Sequence, residues 1–98
     1  MIVVITAEAE ADLESIGDHI AKDNPARAAS FIRELRGQCT ELADIPHAFP
    51  LVPRYEHYGI RRRVHGNYLI FYRLDPDSLI VLHVLHGMMD YASILFPV

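Results

Sequence analysis

Residues 59–73, which read GIRRRVHGNYLIFYR, carry the clearest structural signal in the chain. Two runs rich in branched and aromatic residues, 60–65 and 68–74, stand on either side of Gly66-Asn67. Strands separated by such a dipeptide are typical of a β-hairpin with a two-residue turn, and that turn length fixes the register. The predicted pairs are His65 with Tyr68, Val64 with Leu69, Arg63 with Ile70, Arg62 with Phe71, Arg61 with Tyr72, and Ile60 with Arg73.

Three consecutive arginines, Arg61, Arg62 and Arg63, lie on the first strand of this hairpin. Because successive side chains of a strand alternate, the middle arginine points to the opposite face from the other two. A hairpin that served only as core would not carry them, because burying an unpaired guanidinium is costly. Two interpretations stay open: the arginines reach the rim and pair with an acidic helix, or at least one of them contacts a partner.

Further strands lie on either side of this hairpin along the chain. Residues 79–85 follow the turn Asp75–Ser78, and the β-branched run 2–5 opens the chain. The strands 68–74 and 79–85 are almost continuously apolar, which is typical of strands covered on both faces. Helices can cover one face, and the other face needs a loop, the C-terminal segment or a partner chain.

Two amphipathic helices are predicted between the first strand and the hairpin. Residues 7–22 follow Thr6, a suitable N-cap, and residues 25–43 follow Asn24, with Pro25 at the first helical position. The tight break between them predicts an antiparallel helical hairpin. The residues expected to pack on the sheet are Leu13, Ile16, Ile20, Phe31, Leu35 and Leu42.

The remaining segments are a proline-punctuated loop over 44–58 and a tail over 90–96. The tail is expected to be a short helix with Asp90 as N-cap, or a docked extension. The element order is therefore β-α-α-β-β-β within a single domain, residues 1–98. This order predicts an α+β fold in which the helical hairpin packs on a small, mostly antiparallel four-stranded sheet.

Charge is distributed unevenly along the 98 residues, whose net charge is −4. Residues 1–24 hold six acidic residues against Lys22 alone, whereas residues 54–73 hold five arginines against Glu56 alone. The negative total argues against a chain that binds nucleic acid over its whole surface, so we expect no sequence-specific nucleic-acid binding by this chain alone. No signal peptide and no apolar run of membrane-spanning length is evident, which predicts a cytoplasmic protein without a membrane partner.

The sequence offers no recognisable catalytic set, cofactor site or metal site. A single cysteine, Cys39, excludes an internal disulfide and a cysteine-rich metal centre. His83 and His86 do not share a face of a regular strand, and no other pair has ligand spacing. No serine has a nucleophile context, and there is no glycine-rich phosphate loop. We therefore expect no catalytic residue, no cofactor and no metal.

Several motifs, taken in order, resemble the signature of ParE-type toxins in the ParE/RelE superfamily. The resemblance covers essentially the whole chain and implies a RelE-like fold. It rests on Asp12-Leu13 with Ile16 and Ile20, on Asn24-Pro25 with Ala28 and Phe31, on the run from Gly59 to Arg73, and on Val84-Leu85-His86-Gly87 with Asp90.

The superfamily has two branches, and the resemblance implies different activities for them. RelE-type members cut messenger RNA on the ribosome with basic residues on the sheet, an arginine after the tyrosine of the turn, and basic and aromatic residues after the last strand. ParE-type members poison DNA gyrase. In this chain Leu69 follows Tyr68, Met88-Met89 follow the last strand, and Leu95 stands about where a nuclease would place its tyrosine. These departures favour the ParE branch and a protein that is not an enzyme.

The resemblance implies a toxin that inhibits DNA gyrase, supports plasmid stabilisation, and is neutralised in a hetero-oligomer. The neutralising partner is a cognate antitoxin, a ParD-like protein of the ribbon-helix-helix class. The alternatives are a ribosome-dependent messenger-RNA endonuclease of the RelE type and an inactive toxin-like domain that only binds an antitoxin. The candidate residues for binding the target or the antitoxin are Arg61, Arg62, Arg63, Tyr72, Arg73, His86 and Met89.

Overall fold

The computed structural model describes residues 1–96, which follow the predicted β-α-α-β-β-β order and end in a short helix. The predicted loop contains one turn of 3₁₀ helix, Glu56–Tyr58. None of the helices in residues 1–96 has both the length and the apolar character needed to cross a bilayer. The elements are β1 (Ile2–Ile5), α1 (Ala7–Ala21), α2 (Pro25–Glu41), β2 (Ile60–His65), β3 (Tyr68–Leu74), β4 (Ser78–His86) and α3 (Tyr91–Leu95).

The sheet has the strand order β1-β4-β3-β2. β1 runs parallel to β4, and the other neighbours are antiparallel, so the predicted mostly antiparallel sheet is confirmed. The hairpin register is also as predicted, from His65 opposite Tyr68 to Ile60 opposite Arg73. A two-residue turn leaves no freedom to slip this register, because a shift by one residue would exchange the two faces of both strands.

Both helices begin at the predicted N-caps. The Thr6 hydroxyl oxygen accepts a hydrogen bond from the amide of Ala9 at 3.1 Å, and the Asn24 side chain accepts one from the amide of Arg27 at 3.0 Å. Thr6 also donates to the carbonyl of Val81 on β4 at 2.9 Å. The cap therefore stabilises the first turn of α1 and fixes where the helix leaves the sheet.

One core lies between the helical hairpin and one face of the sheet. Five of the six predicted core residues are buried there, and Ile20 packs against them while partly exposed. The sheet contributes Ile70, Tyr72, Leu79, Val81 and Val84 to the same core.

The second face of the sheet is covered by the loop and the C-terminal segment together. Val52 from the loop and Phe96 from the tail are buried against Phe71 and Leu85. The loop also extends the sheet, because the amide of Val52 donates to the carbonyl of Ile60 at 2.9 Å. Of the three candidates for covering this face, the loop and the C-terminal segment both do so, and neither is a partner chain.

A bulge in β4 was not predicted. Phe71 pairs with His83 but Tyr72 pairs with Val81, so Leu82 is an extra residue on that strand. Next to the bulge, Asp12 of α1 accepts hydrogen bonds from the Val84 amide at 2.9 Å and from Nδ1 of His83 at 2.8 Å. Asp12 therefore closes the edge of β4 beyond the point where β1 ends.

Replacing Phe31 by alanine should lower the free energy of unfolding by about 3–5 kcal/mol, because its buried ring fills space against His65 and Tyr68. Urea unfolding followed by circular dichroism measures this loss. Arg33→Ala, exposed on the same helix, is the matched control. A loss below about 1 kcal/mol for Phe31→Ala would contradict the packing described here.

Replacing Asp12 by alanine should lower the free energy of unfolding by about 1–3 kcal/mol, because the amide of Val84 and the ring of His83 lose their acceptor. Glu14→Ala tests whether loss of any acid from α1 has this effect, since the Glu14 side chain is exposed and forms no hydrogen bond or salt bridge within residues 1–96. Equal losses for both variants would show that the contact to β4 contributes nothing specific.

Candidate protein-interaction site

Arg61 and Arg63 point toward the helical side of the sheet and are used inside the protein. Arg61 donates to the carbonyl of Phe49 at 2.7 Å. Arg63 donates to the carbonyl of Gln38 at 3.2 Å, pairs with Glu41 at 2.8 Å, and lies 4.7 Å from the centre of the Phe49 ring. With its side chain only 13% exposed, Arg63 holds the end of α2 and the following loop against β2.

The prediction that these arginines pair with the acidic first helix is wrong. The carboxylate that meets Arg63 belongs to Glu41 at the end of α2, whereas Glu10 of α1 pairs with Arg36 of α2. The position is favourable because a cation near the C-terminus of a helix meets unpaired carbonyls and the negative end of the helix dipole.

Tyr72 is fully buried, although the sequence suggested it as a binding residue. Its hydroxyl donates to the carbonyl of Pro46 at 2.9 Å, which ties the loop to β3. Burial raises the pKa of the Tyr72 phenol, and the nearby charges of Arg61 and Arg63 oppose that rise. Tyr72 therefore presents no surface to a partner in this structure.

Arg73 is exposed near the end of β3 that lies away from the hairpin turn. Its Nε donates to Asp75 at 3.1 Å, within the turn that leads into β4. An exposed ion pair of this kind contributes little to stability. Arg73 lines neither the cleft that contains Arg62 nor the cleft that contains His86.

Arg62 points to the other face of the sheet and reaches the C-terminal segment. Its Nη1 donates to the hydroxyl of Tyr91 at 3.0 Å. The two residues line a cleft of about 450 Å³, together with Arg54, Tyr55 and Met89. We call this the Arg62 cleft; Pro53, Asp90 and Ala92 complete its lining.

A second cleft, of about 350 Å³, lies between α1 and the end of β4 and includes His86 and Met89. Nδ1 of His86 accepts from the amide of Met88 at 3.0 Å, and its ring stands edge-on to Tyr68 at 5.2 Å. Met89 lines both clefts. Of the seven candidate residues, the structure thus brings together Arg62, Met89 and His86.

Sequence reasoning missed three residues of the Arg62 cleft: Arg54, Tyr55 and Tyr91. They come from the loop and from α3, so their position depends on how both segments cross the sheet. The one sequence feature that pointed to this region was the Pro53-Arg54 dipeptide, which is typical of a turn. The alternation of the arginine strand did place Arg62 on its own face.

His65 forms a separate cluster with α2, which also was not predicted. Its Nε2 lies 3.0 Å from Glu34 Oε1, its Nδ1 lies 2.8 Å from Gln38 Nε2, and its ring stacks on Phe31. Hydrogen bonds from Arg27 and then His65 lower the pKa of the Glu34 carboxyl. This cluster holds the end of β2 on the helix and is structural.

The Arg62 cleft offers charge and apolar surface more than reactive groups. Its lining in residues 1–96 contains guanidinium groups, phenols and the carboxylate of Asp90, which caps α3 by accepting from the amide of Ser93 at 3.4 Å. The cysteine thiol lies elsewhere, in the core, and burial raises the pKa of Cys39 to about 11. The arrangement is suited to holding an anionic or aromatic group of another molecule.

Comparison with known proteins gives a family and a fold. The model of a family described as "ParE toxin of type II toxin-antitoxin system, parDE" matches residues 3–91. No curated protein sequence matches the chain.

Two solved structures are similar. A chain of the chromosomal ParDE system from P. aeruginosa is 21% identical, with a TM-score of 0.75 over 88% of this chain and 95% of that one. A chain of the RelBE2 toxin-antitoxin complex from Mycobacterium tuberculosis is 25% identical, with a TM-score of 0.57 over 87% and 95%. The resemblance found in the sequence and the RelE-like fold are thereby confirmed. The chain belongs to the ParE toxin family, and it is the toxin component of a type II toxin-antitoxin system.

Proposed function

We propose that this toxin acts by binding DNA gyrase and not by cutting RNA. The observation that carries the proposal is the burial of Leu69. In the RelE branch an arginine is expected at this position, after the tyrosine of the turn. Here Leu69 packs on Phe71 and Leu85 in the second core. A core side chain at this position supplies no charge to a scissile phosphate.

The proposed contact surface consists of the Arg62 cleft and the exposed residues beside it. Met88 is 88% exposed, Val64 is 63% exposed and Met89 is 46% exposed. Exposed methionine next to arginine is typical of surfaces that bind proteins, because the thioether adapts its shape and the guanidinium makes directed hydrogen bonds. Arg61 and Arg63 contribute indirectly, by holding β2 in place.

A cognate antitoxin is the second proposed partner, as a ParD-like protein of the ribbon-helix-helix class in a hetero-oligomer. Two observations support it: similar chains occur in ParDE and RelBE2 systems, and apolar surface remains uncovered. Ile2 and Val4 are exposed on β1, and Ile32 lines a groove between α1 and α2. A protein that acts on gyrase, and thereby supports plasmid stabilisation, works in the cytoplasm.

The alternative is a ribosome-dependent endonuclease of the RelE type. The contact of Arg62 with Tyr91 favours it, because it places a basic and an aromatic group side by side after the last strand. The 25% identity to a chain of a RelBE2 complex points the same way. An inactive domain that only binds an antitoxin is the third possibility.

Purified toxin should inhibit supercoiling of relaxed plasmid by gyrase and leave ribosome-bound messenger RNA uncut. Agarose gels measure supercoiling, and primer extension on a translated message detects new RNA ends. The heat-unfolded toxin is the control in both assays. New RNA ends without inhibition of gyrase would establish the endonuclease; no effect in either assay would support the inactive domain.

Arg62→Ala and Arg63→Ala should separate binding from folding. Arg62→Ala should weaken inhibition of gyrase about tenfold or more and change the unfolding free energy by less than about 1 kcal/mol. Arg63→Ala should lower that free energy by about 1–3 kcal/mol, because Gln38 and Glu41 lose their donor. Titration of gyrase and urea unfolding provide the measurements. If Arg62→Ala unfolds the protein or leaves inhibition intact, Arg62 is not a contact residue.

A further inference from the structure

The Arg62 cleft contains two arginines, Arg54 and Arg62, that pair with no carboxylate among residues 1–96. Four other arginines, Arg27, Arg36, Arg63 and Arg73, each form a salt bridge. Neither Arg54 nor Arg62 forms one within residues 1–96, and the only hydrogen bond of the Arg62 guanidinium there goes to Tyr91. A guanidinium carries five N–H donors, so most of the donors of Arg62 remain available.

Arg54 is held in an unfavourable backbone conformation. Its φ is +73°, and it is the one residue other than glycine in residues 1–96 with a positive φ. The amide of Tyr55 donates to the carbonyl of Val52 at 3.1 Å, which makes Arg54 the third residue of a turn that normally has glycine there. An arginine at this position costs stability, and such strain is commonly found at functional sites.

The remaining residues that line the cleft determine which ligand group it could hold. The Tyr91 hydroxyl is a further donor, and the Tyr55 ring is fixed by stacking on Phe96 at 4.1 Å. Asp90 contributes one negative charge, but its side chain is engaged in capping α3. Arg54, Arg62 and Tyr91 thus line one cleft, and the rest of its lining is partly apolar.

We infer that the Arg62 cleft is a receptor for a single carboxylate, an aspartate or glutamate side chain presented by the protein target. The inference rests on the proposed function in taking that target to be a protein. The planar fork of a guanidinium matches a carboxylate with two parallel hydrogen bonds. Arg54 and Arg62 supply such forks from two separate segments, and the Tyr91 hydroxyl is a third donor group.

A nucleic-acid backbone fits this cleft less well than a carboxylate. A bound strand presents a series of phosphates, and its affinity grows with the number of basic side chains along the path. The cleft has two arginines beside the carboxylate of Asp90, in a protein of net charge −4. These charges suit one acidic group on an otherwise uncharged surface.

The test uses the full chain and two tripeptides, Ac-Ala-Glu-Ala-NH₂ and its glutamine counterpart, with a ten-nucleotide oligothymidine as the third probe. Arginine Nε–Hε signals are followed by nuclear magnetic resonance. The glutamate peptide should shift the Arg54 and Arg62 signals with a Kd of roughly millimolar order. The glutamine peptide should bind at least about tenfold more weakly. Arg33, exposed and outside every salt bridge in residues 1–96, reports non-specific effects.

Arg54→Gly is the decisive variant, because glycine removes the guanidinium and also accepts the positive φ without strain. It should bind the glutamate peptide about tenfold more weakly and unfold at the same or a higher temperature. Arg33→Ala should bind it as the unaltered chain does.

Three results would overturn the inference: Arg54 and Arg62 signals that move no more than that of Arg33, unchanged binding by Arg54→Gly, or tighter binding of the oligothymidine than of the glutamate peptide. Binding of the peptide by a toxin that does not inhibit gyrase would sink the proposed function and leave the carboxylate receptor standing.

Discussion

The need to cover β3 and β4 on both faces governs the rest of this structure. Strands this apolar lose stability wherever water reaches them, and a chain of 98 residues has few elements to spare. The helical hairpin covers one face, and the loop before β2 joins α3 over the other. The second cover consists of short segments from distant parts of the chain, and the Arg62 cleft lies where those two segments meet.

The same constraint divides the three neighbouring arginines into two roles. Arg61 and Arg63 emerge beneath the helices, where every polar group needs a partner, and they find carbonyls and Glu41. Arg62 emerges under the loop and α3 and meets a tyrosine hydroxyl. One strand thus joins a structural role on one face to the proposed recognition role on the other, and alternation of side chains keeps the two apart.

Much of the fold could be predicted from local chemistry. Gly66-Asn67 fixed the hairpin register, and Thr6 and Asn24 marked both helix starts, because each signal acts through neighbouring residues. The bulge at Leu82 had no such signal, since it arises where β1 ends and α1 packs on β4. The site was harder to predict: the burial of Tyr72, the partner of Arg63 and the approach of Tyr91 to Arg62 all depend on the path of the loop and tail.

The parallel pairing of β1 with β4 also limits how much of the sheet can form while the chain is still being translated. Residues 2–5 pair with residues 78–81, so the first strand to be synthesised cannot pair until the last strand has been made. The hairpin of β2 and β3 is local in sequence and can close early, but β1 cannot join the sheet until β4 has left the ribosome. A nascent chain therefore has no finished toxin surface during most of its translation. A partner that recognises incomplete sheet edges could therefore bind before the toxin has finished folding.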